Sequence, residues 1–520
     1  MSDPALCSAC GKPFDAALLA EAHWYPFWEF EGGACPACVQ RNLLCTLLEH
    51  GEAGLQEQVQ SAWPLDAKSA FGALPTPLRL HADSRFAGRG ITLALLDSGF
   101  YPHPDLIQPR NRIRAWVDAT RSPVLARRFP AGRTPRWPDW DAARDWQWHG
   151  LMTSVAAVGN GFLSHGLYRG LASEAGVVLI QVRDTDGHVT NRTITRAFRW
   201  LLRYGRDLGV RVVSASVGGD PVATLRGNSV DEAAEALVES GITVVVAAGN
   251  DGQRRLLPPA TAPSVLTVGG IDDRNIFTHD EIAIWHSNYG EASNSMPKPE
   301  LVAPSIWVAA PVLPGSAVAV EAQALFTRRT GEDRAAEGRM AELKLITPHY
   351  QHVEGTSFAA PLVASTVACM LEANPSLTPL LIRDVLMATA HSVSNAPRER
   401  QGAGALDAGR AVARALAERH AKSFAWPFSP RLTPEGVILA LHDHDSKDVS
   451  VYGSWNDWQA PGWPATPAEP GMWQTQARTF ASGEYSYKFL LDGWRWLDDP
   501  ANPRKLHDGR GGLNSVLVVP

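Results

Sequence analysis

The chain has 520 residues, 45% hydrophobic and 20% charged, with a net charge of −6. That length predicts two to four domains, and the composition is that of ordinary globular protein, which excludes a disordered chain. The mild negative charge and the lack of any run of about 18 apolar residues point to no nucleic-acid and no membrane partner.

The chain begins with its cysteines. Five of six fall within the first 45 residues. Cys7 and Cys10 form one C-x2-C pair, and Cys35 and Cys38 a second. Two such knuckles offer four thiolates to one tetrahedral Zn2+, so residues 1–50 read as a zinc-ribbon-like segment. The metal's role would be structural, folding a segment too short for its own core. His23 lies between the pairs, but four thiolates already fill the shell. The opening residues have no basic start followed by an apolar run, so no secretory signal is expected. With the clustered cysteines this predicts a cytoplasmic protein. Residues 51–87 read as a linker.

From about 88 to 417 the pattern alternates. Apolar β-type runs occur at 91–97 (ITLALLD), 176–184, 210–219, 242–250 and 264–272, with helical candidates at 192–208 and 229–241. Buried strands alternating with helices predict a doubly wound α/β domain with a parallel sheet. Its chemistry is expected at the carboxyl ends of the strands. Two long stretches, 118–148 and 315–350, are expected to be surface elaborations or a lid. The first holds Arg127, Arg128, Arg133 and Arg136 among four tryptophans. A second linker, 418–433, precedes short alternating runs over 434–520, which predict a β-sandwich. Seven of the 18 tryptophans lie between Trp426 and Trp496.

Four segments of the central region carry groups that make chemical sense together. Asp97 closes a buried strand, His149 opens a small-residue helix, Asn250 ends another strand, and Ser357 heads an apolar helix containing Pro361, placed in its first turn. A serine hydroxyl is a poor nucleophile until an imidazole takes its proton. The imidazole needs a carboxylate on its other nitrogen, and the oxyanion needs donors such as an Asn amide and a helix-start N–H.

The order Asp, His, Asn, Ser and the surrounding words resemble the subtilases, the subtilisin-like serine proteases. The resemblance also covers YRGLASEAGVVLIQV, ASVGGD, KPELVAPS and QGAGALDAGRAV. It implies a serine endopeptidase acting on protein or peptide, with Asp97 orienting, His149 as base and acid, Ser357 as nucleophile and Asn250 stabilising the oxyanion. The backbones of Ser216, Val217 and Gly218 and of Ala247, Ala248 and Gly249 would bind the peptide as an added strand. After His149 the chain reads G-L-M-T where the commonest family form is G-T-H-V, so altered packing is expected there. By alignment Leu257 approaches the floor of the specificity pocket. Family members often bind Ca2+, whose ligands are not assigned from this sequence. No folded inhibitory propeptide fits between the zinc segment and the first strand, so residues 1–85 are expected to occlude the cleft.

The C-terminal pattern VSVYGSWNDWQ, then YSYKFLLDGWRWLDDPANP, then LNSVLVV, resembles the glycogen-binding early-set modules, which have an immunoglobulin-like β-sandwich fold. It implies stacking of glycogen or another α-glucan on Trp458 and Trp496 (or Trp494), with Lys488 and Asn514 bonding hydroxyls. Aromatic planes suit the apolar face of a glucose ring. Two rival readings are a protein-binding scaffold that has lost catalysis, and a glucan-anchored protein in which proteolysis is secondary.

Overall fold

The computed structural model describes residues 5–6, 13–14, 73–130, 144–164, 166–222, 227–275, 282–328, 334–420, 429–433, 435–443, 446–469, 472–500, 502, 505–508 and 512–519. The zinc-ribbon cysteines Cys7, Cys10, Cys35 and Cys38 lie outside the described residues, as do His23 and Arg133, Arg136, Trp137 and Trp140 of the first long stretch. Ala5–Leu6 pairs antiparallel with Pro13–Phe14, bracketing the first cysteine pair.

The central domain is built on nine strands: β1 (Thr92–Asp97), β2 (Ile113–Asp118), β3 (Leu125–Arg128), β4 (Gly176–Gln181), β5 (Val210–Ala215), β6 (Thr243–Ala247), β7 (Leu266–Asp272), β8 (Ala283–Ile284) and β9 (Leu301–Pro304). The order is β8-β7-β6-β5-β1-β4-β2-β3, with β9 also on β7. Both edge strands, β3 and β8, run antiparallel and the rest pair in parallel. The five runs expected from their apolar character are all present. The pattern missed β2, β3, β8 and β9: Arg114 interrupts the first, and the other three are four residues long or shorter.

Helices cover both faces, as near-continuous apolar strands require. On one side lie α1 (Trp148–Val158) and α4 (Thr356–Ala373), packed with Leu93, Leu95, Val177 and Leu179. On the other lie α2 (Asn191–Tyr204) and α3 (Ser229–Glu239), packed with Leu96, Val178, Ile180 and Val213. Alternate residues of each strand serve opposite faces. Helix α4 is long and apolar enough to cross a membrane, yet 89% of it is buried within the domain.

Both long stretches acquire regular structure. The first supplies the edge strand β3. The second forms two helices, Ala317–Arg328 and Arg334–Glu342, with a small core of Val312, Ala322, Ala336, Met340 and Leu345. They join strands Val308–Pro311 and Tyr350–Val353, which pair antiparallel just before α4.

The expected linker is corrected in its last part. Residues 73–80 are a buried strap, with Ala73, Leu74, Leu78 and Leu80 all at 4% exposure or less. Arg79 donates two hydrogen bonds to Asp273, at 2.9 and 2.7 Å, and reaches the carbonyls of Ile306 and Trp307. Leu74 N–H donates to Asn275 Oδ1 at 2.7 Å, and Leu80 O accepts from Ala408 N–H. These described residues belong to the central domain.

In the C-terminal region hydrogen bonds link eight strands into one continuous antiparallel sheet, and Arg431–Thr433 pairs with Gly436–Ile438 in a separate ribbon. The core is Val437, Leu439, Val449, Val451, Tyr487, Phe489, Leu491 and Leu517. This antiparallel β domain agrees with the expected β-rich module.

Breaking a buried ion pair leaves an uncompensated charge and costs about 3–5 kcal/mol. Arg79→Ala is therefore expected to destabilise the central domain by about 3 kcal/mol, checked by urea unfolding. A change below about 1 kcal/mol would contradict the structural role of the strap.

Candidate active site

Asp97 ends β1 in the middle of the sheet, between β4 and β5. Its side chain is 1% exposed. A carboxylate so buried needs hydrogen-bond donors for its oxygens. Oδ1 accepts from Ser98 N–H (2.6 Å), Ser98 Oγ (3.1 Å) and His149 Nδ1 (2.6 Å). Oδ2 accepts from Thr153 Oγ1 at 2.8 Å.

Helix α1 delivers both His149 and Thr153. It can approach Asp97 because residue 150 is glycine: a Cβ there would lie 1.9 Å from Gly99 O and 3.0 Å from Asp97 Cβ. The departure from the common family form thus holds a hydroxyl that bonds Asp97, a contact that the sequence reading missed. Thr153 lies one helical turn beyond His149, on the same face. The spacing was visible, but its use depends on where β1 ends.

Burial pulls the His149 imidazole's pKa down, while the charge and hydrogen bond of Asp97 pull it up. The balance lies above the ordinary value. Trp148, 47% exposed, stands edge-to-face on the ring, with centroids 5.2 Å apart. Phe358, the residue after Ser357, meets it at 5.9 Å. Among the described residues no hydrogen bond joins His149 to Ser357; such bonds are often formed only in the substrate complex.

Ser357 sits at the second position of α4, which opens at Gly355 with φ +131°. Asn250 Oδ1 accepts from Thr356 N–H (2.9 Å) and Thr356 Oγ1 (2.8 Å), so its amide is fixed with Nδ2 beside the helix start. Thr356 Oγ1 also accepts from Gly249 N–H at 3.1 Å. Among the described residues the Ser357 N–H has no acceptor. It and Asn250 Nδ2 are the donors an oxyanion would need.

Pro361 lies in the second turn of α4, which corrects the expectation that it falls in the first. It has no N–H to offer the carbonyl four residues back, at Ser357. That carbonyl accepts instead from Ser216 Oγ at 2.7 Å. The pair ties the turn that carries Ser357 to the loop after β5.

Ser216, Val217 and Gly218 follow β5, while Ala247 closes β6 and leads into Ala248 and Gly249. Both segments lie at the carboxyl edge of the sheet, as expected. Leu257 is half-buried, its Cδ1 3.4 Å from where a Gly218 Cβ would stand. It therefore closes the space beside that strand. Among the described residues no three His, Cys, Asp or Glu side chains are grouped to hold a metal ion.

In the C-terminal domain Trp458 and Trp496 meet edge-to-face at 6.3 Å, and Trp496 and Trp494 are 48% and 74% exposed. Lys488 Nζ bonds Asp508 Oδ2 at 2.6 Å. Asn514, half-buried, stands opposite Leu506. The structure thus brings Trp458 and Trp496 together, and gives Lys488 a carboxylate partner.

Losing one hydrogen bond to a buried carboxylate costs about 1.5–3 kcal/mol. Thr153→Val is expected to lower kcat about tenfold or more while the fold persists, checked by peptide hydrolysis beside a thermal melt. An unchanged kcat would show that Thr153 does not position Asp97.

The sequence model of the subtilase family matches residues 88–404. The chain is 27% identical over 336 residues to serine protease AprX of Bacillus subtilis (strain 168), covering 62% of this chain and 66% of that protein. It is 26% identical over 311 residues to subtilisin BL of Lederbergia lenta, covering 59% of this chain and 86% of that one. It spans only 26% of the length of subtilisin-like protease 2 of Pseudogymnoascus destructans. Among solved structures, fervidolysin from Fervidobacterium pennivorans is similar at 19% identity and a TM-score of 0.48, over 82% of this chain and 57% of that chain. The chain belongs to the subtilase family, and the domain that carries Asp97, His149 and Ser357 is a serine-type endopeptidase domain.

Proposed function

We propose that this protein cleaves polypeptides through an acyl-enzyme on Ser357. The observation that carries the reading is the Asp97–His149 hydrogen bond beside a serine at the open start of a buried helix. His149 Nε2 takes the Ser357 proton as Oγ attacks the scissile carbonyl, then gives it to the leaving amine. Asp97 holds Nδ1–H and stabilises the imidazolium. Asn250 Nδ2 and the Ser357 amide receive the oxyanion, a donation worth about 10²–10³ in rate. The peptide lies as an added strand against Ser216–Gly218 and Ala247–Gly249. Leu257 makes the primary pocket shallow.

The four thiolates of Cys7, Cys10, Cys35 and Cys38 suit a structural Zn2+, and such chemistry fits a reducing cytoplasm. We assign no Ca2+ ligands.

Labelling with a fluorophosphonate probe tests the central reading. Wild type should label and Ser357→Ala should not. Labelling should climb as pH rises, because the imidazole acts as a base only when neutral. The midpoint should lie above about 6.5, since Asp97 raises the His149 pKa. A truncation for testing N-terminal occlusion must stop at residue 72, ahead of the buried strap. If neither wild type nor this truncation labels, the scaffold reading replaces this one.

A second reading rests on the exposed tryptophans of the C-terminal domain. Trp496, 48% exposed, and the half-buried Trp458 offer two rings to an α-glucan. Wild type should then co-sediment with insoluble glycogen, and Trp458→Ala/Trp496→Ala should not. If wild type stays in the supernatant, a docking role for these rings is favoured.

A further inference from the structure

Helix α2 carries a feature that the cleavage chemistry does not use. Along it and the following turn, Arg206–Leu208, arginines stand at 192, 196, 199, 203 and 206. Steps of four and three keep them on one helical face. The opposite face, with Ile194, Phe198 and Leu201, is buried against the sheet. Arg192, Arg199, Arg203 and Arg206 are exposed, and Arg196 is half-buried, donating to Thr120 O at 2.9 Å.

Residues 191–208 hold these five arginines and one acid, Asp207, in a chain whose net charge is −6. Like charges at such spacing destabilise a helix. Among the described residues, no carboxylate lies within ion-pair distance of any of the five. Arg128 of β3, across a groove of about 580 Å³, stands 3.9 Å from Asp207. Arg128, Arg196, Arg199 and Arg203 line the groove with Trp200 and Tyr204. Arg128 and Arg203 both stack on the Tyr204 ring, each 5.4 Å from its centroid. Stacked guanidinium planes are held in place while their donor forks remain open to carboxylates.

The position of the stripe suggests its occupant. Helix α2 begins against the loop that follows Ser216–Gly218: Asn191 N–H donates to Asp220 Oδ2 at 2.9 Å, and Asp220 N–H to Asn191 Oδ1 at 3.0 Å. From there the stripe leads away from the cleft for about 21 Å, at about 1.5 Å per residue. Six or seven residues of extended chain, at about 3.3 Å each, would cover it.

We infer that the α2 stripe is an exosite for an acidic stretch of the polypeptide being cut, next to the scissile bond. This rests on the peptidase reading above. The exosite adds affinity for substrates with a run of Asp or Glu beside the cleavage site, and it weakens as salt screens the charges.

The test has two arms, so that its failure differs from failure of the peptidase reading. In the first, the full chain with Ser357→Ala is titrated with a fluorescent hexaglutamate peptide, read by anisotropy at about 0.05 M and about 0.5 M salt. Binding at low salt is expected, at least tenfold weaker in the added background of Arg199→Glu/Arg203→Glu and at least tenfold weaker at high salt. A thermal melt checks that the charge-reversed variant stays folded. Equal affinity in the two proteins overturns the proposal, as does tighter binding of a single-stranded oligonucleotide that displaces the peptide. In the second arm, a neutral peptide that the wild type cleaves is compared with copies bearing six glutamates at either end. One copy is expected to show a KM lowered about tenfold, an advantage lost in Arg199→Glu/Arg203→Glu while hydrolysis of the neutral peptide is unchanged. Hexaglutamate binding without any gain in cleavage would overturn the assignment as a substrate exosite.

Discussion

The arrangement around Asp97 depends on giving one buried carboxylate enough hydrogen-bond donors. Asp97 is almost fully withdrawn from water, at the end of a strand flanked on both sides. Without donors, a carboxylate there would carry a heavy desolvation penalty. Its donors come from three places: the next residue, the imidazole it orients, and a threonine one turn along the same helix. The close approach of α1 to β1, permitted by Gly150, brings the last two into range. The position of His149 and the direction of its pKa shift both follow from that contact.

The second organising element is the start of α4. An uncapped helix start leaves N–H groups unpaired and carries partial positive charge. Here Asn250 accepts one of those groups, and in doing so its own amide is oriented. The proline one turn in releases the Ser357 carbonyl to Ser216. The helix start, Ser357 and the segment that begins at Ser216 are therefore held by one short set of hydrogen bonds. The helical pair 317–342 joins the two strands that lead into this turn, so its packing bears directly on where the turn sits.

The parts of this arrangement that could be read from sequence share a property: they are local. Apolar runs mark β1, β4, β5, β6 and β7 because a strand buried on both faces must be apolar at nearly every position. The three chemical residues stand out because each sits at the boundary of such an element. Thr153, Thr356 and the Ser216 hydroxyl were not legible, because their partners are 56, 106 and 141 residues away. Residues 73–80 were misread for the same reason. Pro and Gly punctuation there suggests a linker, whereas the burial of Leu74 and Arg79 is decided by Asn275 and Asp273. The insertion helices escaped because their apolar residues are few and serve only a small local core.

The strap also sets the order in which the domain can be completed during synthesis. It precedes β1, yet its partners come from Asp273, Ile306 and Trp307, and then from Ala408. Contacts so distant in sequence form late, after the loop between them has been closed. A nascent chain that has emerged through Ser357 thus holds all the chemical groups but not the segment that closes the far end of the strap. The frame that holds β9 and the strand pair ahead of α4 is finished only when the region around residue 408 leaves the ribosome. The helix Ala408–His420 and the strap thus tie the two ends of the domain's sequence to one another, so neither is complete without the other.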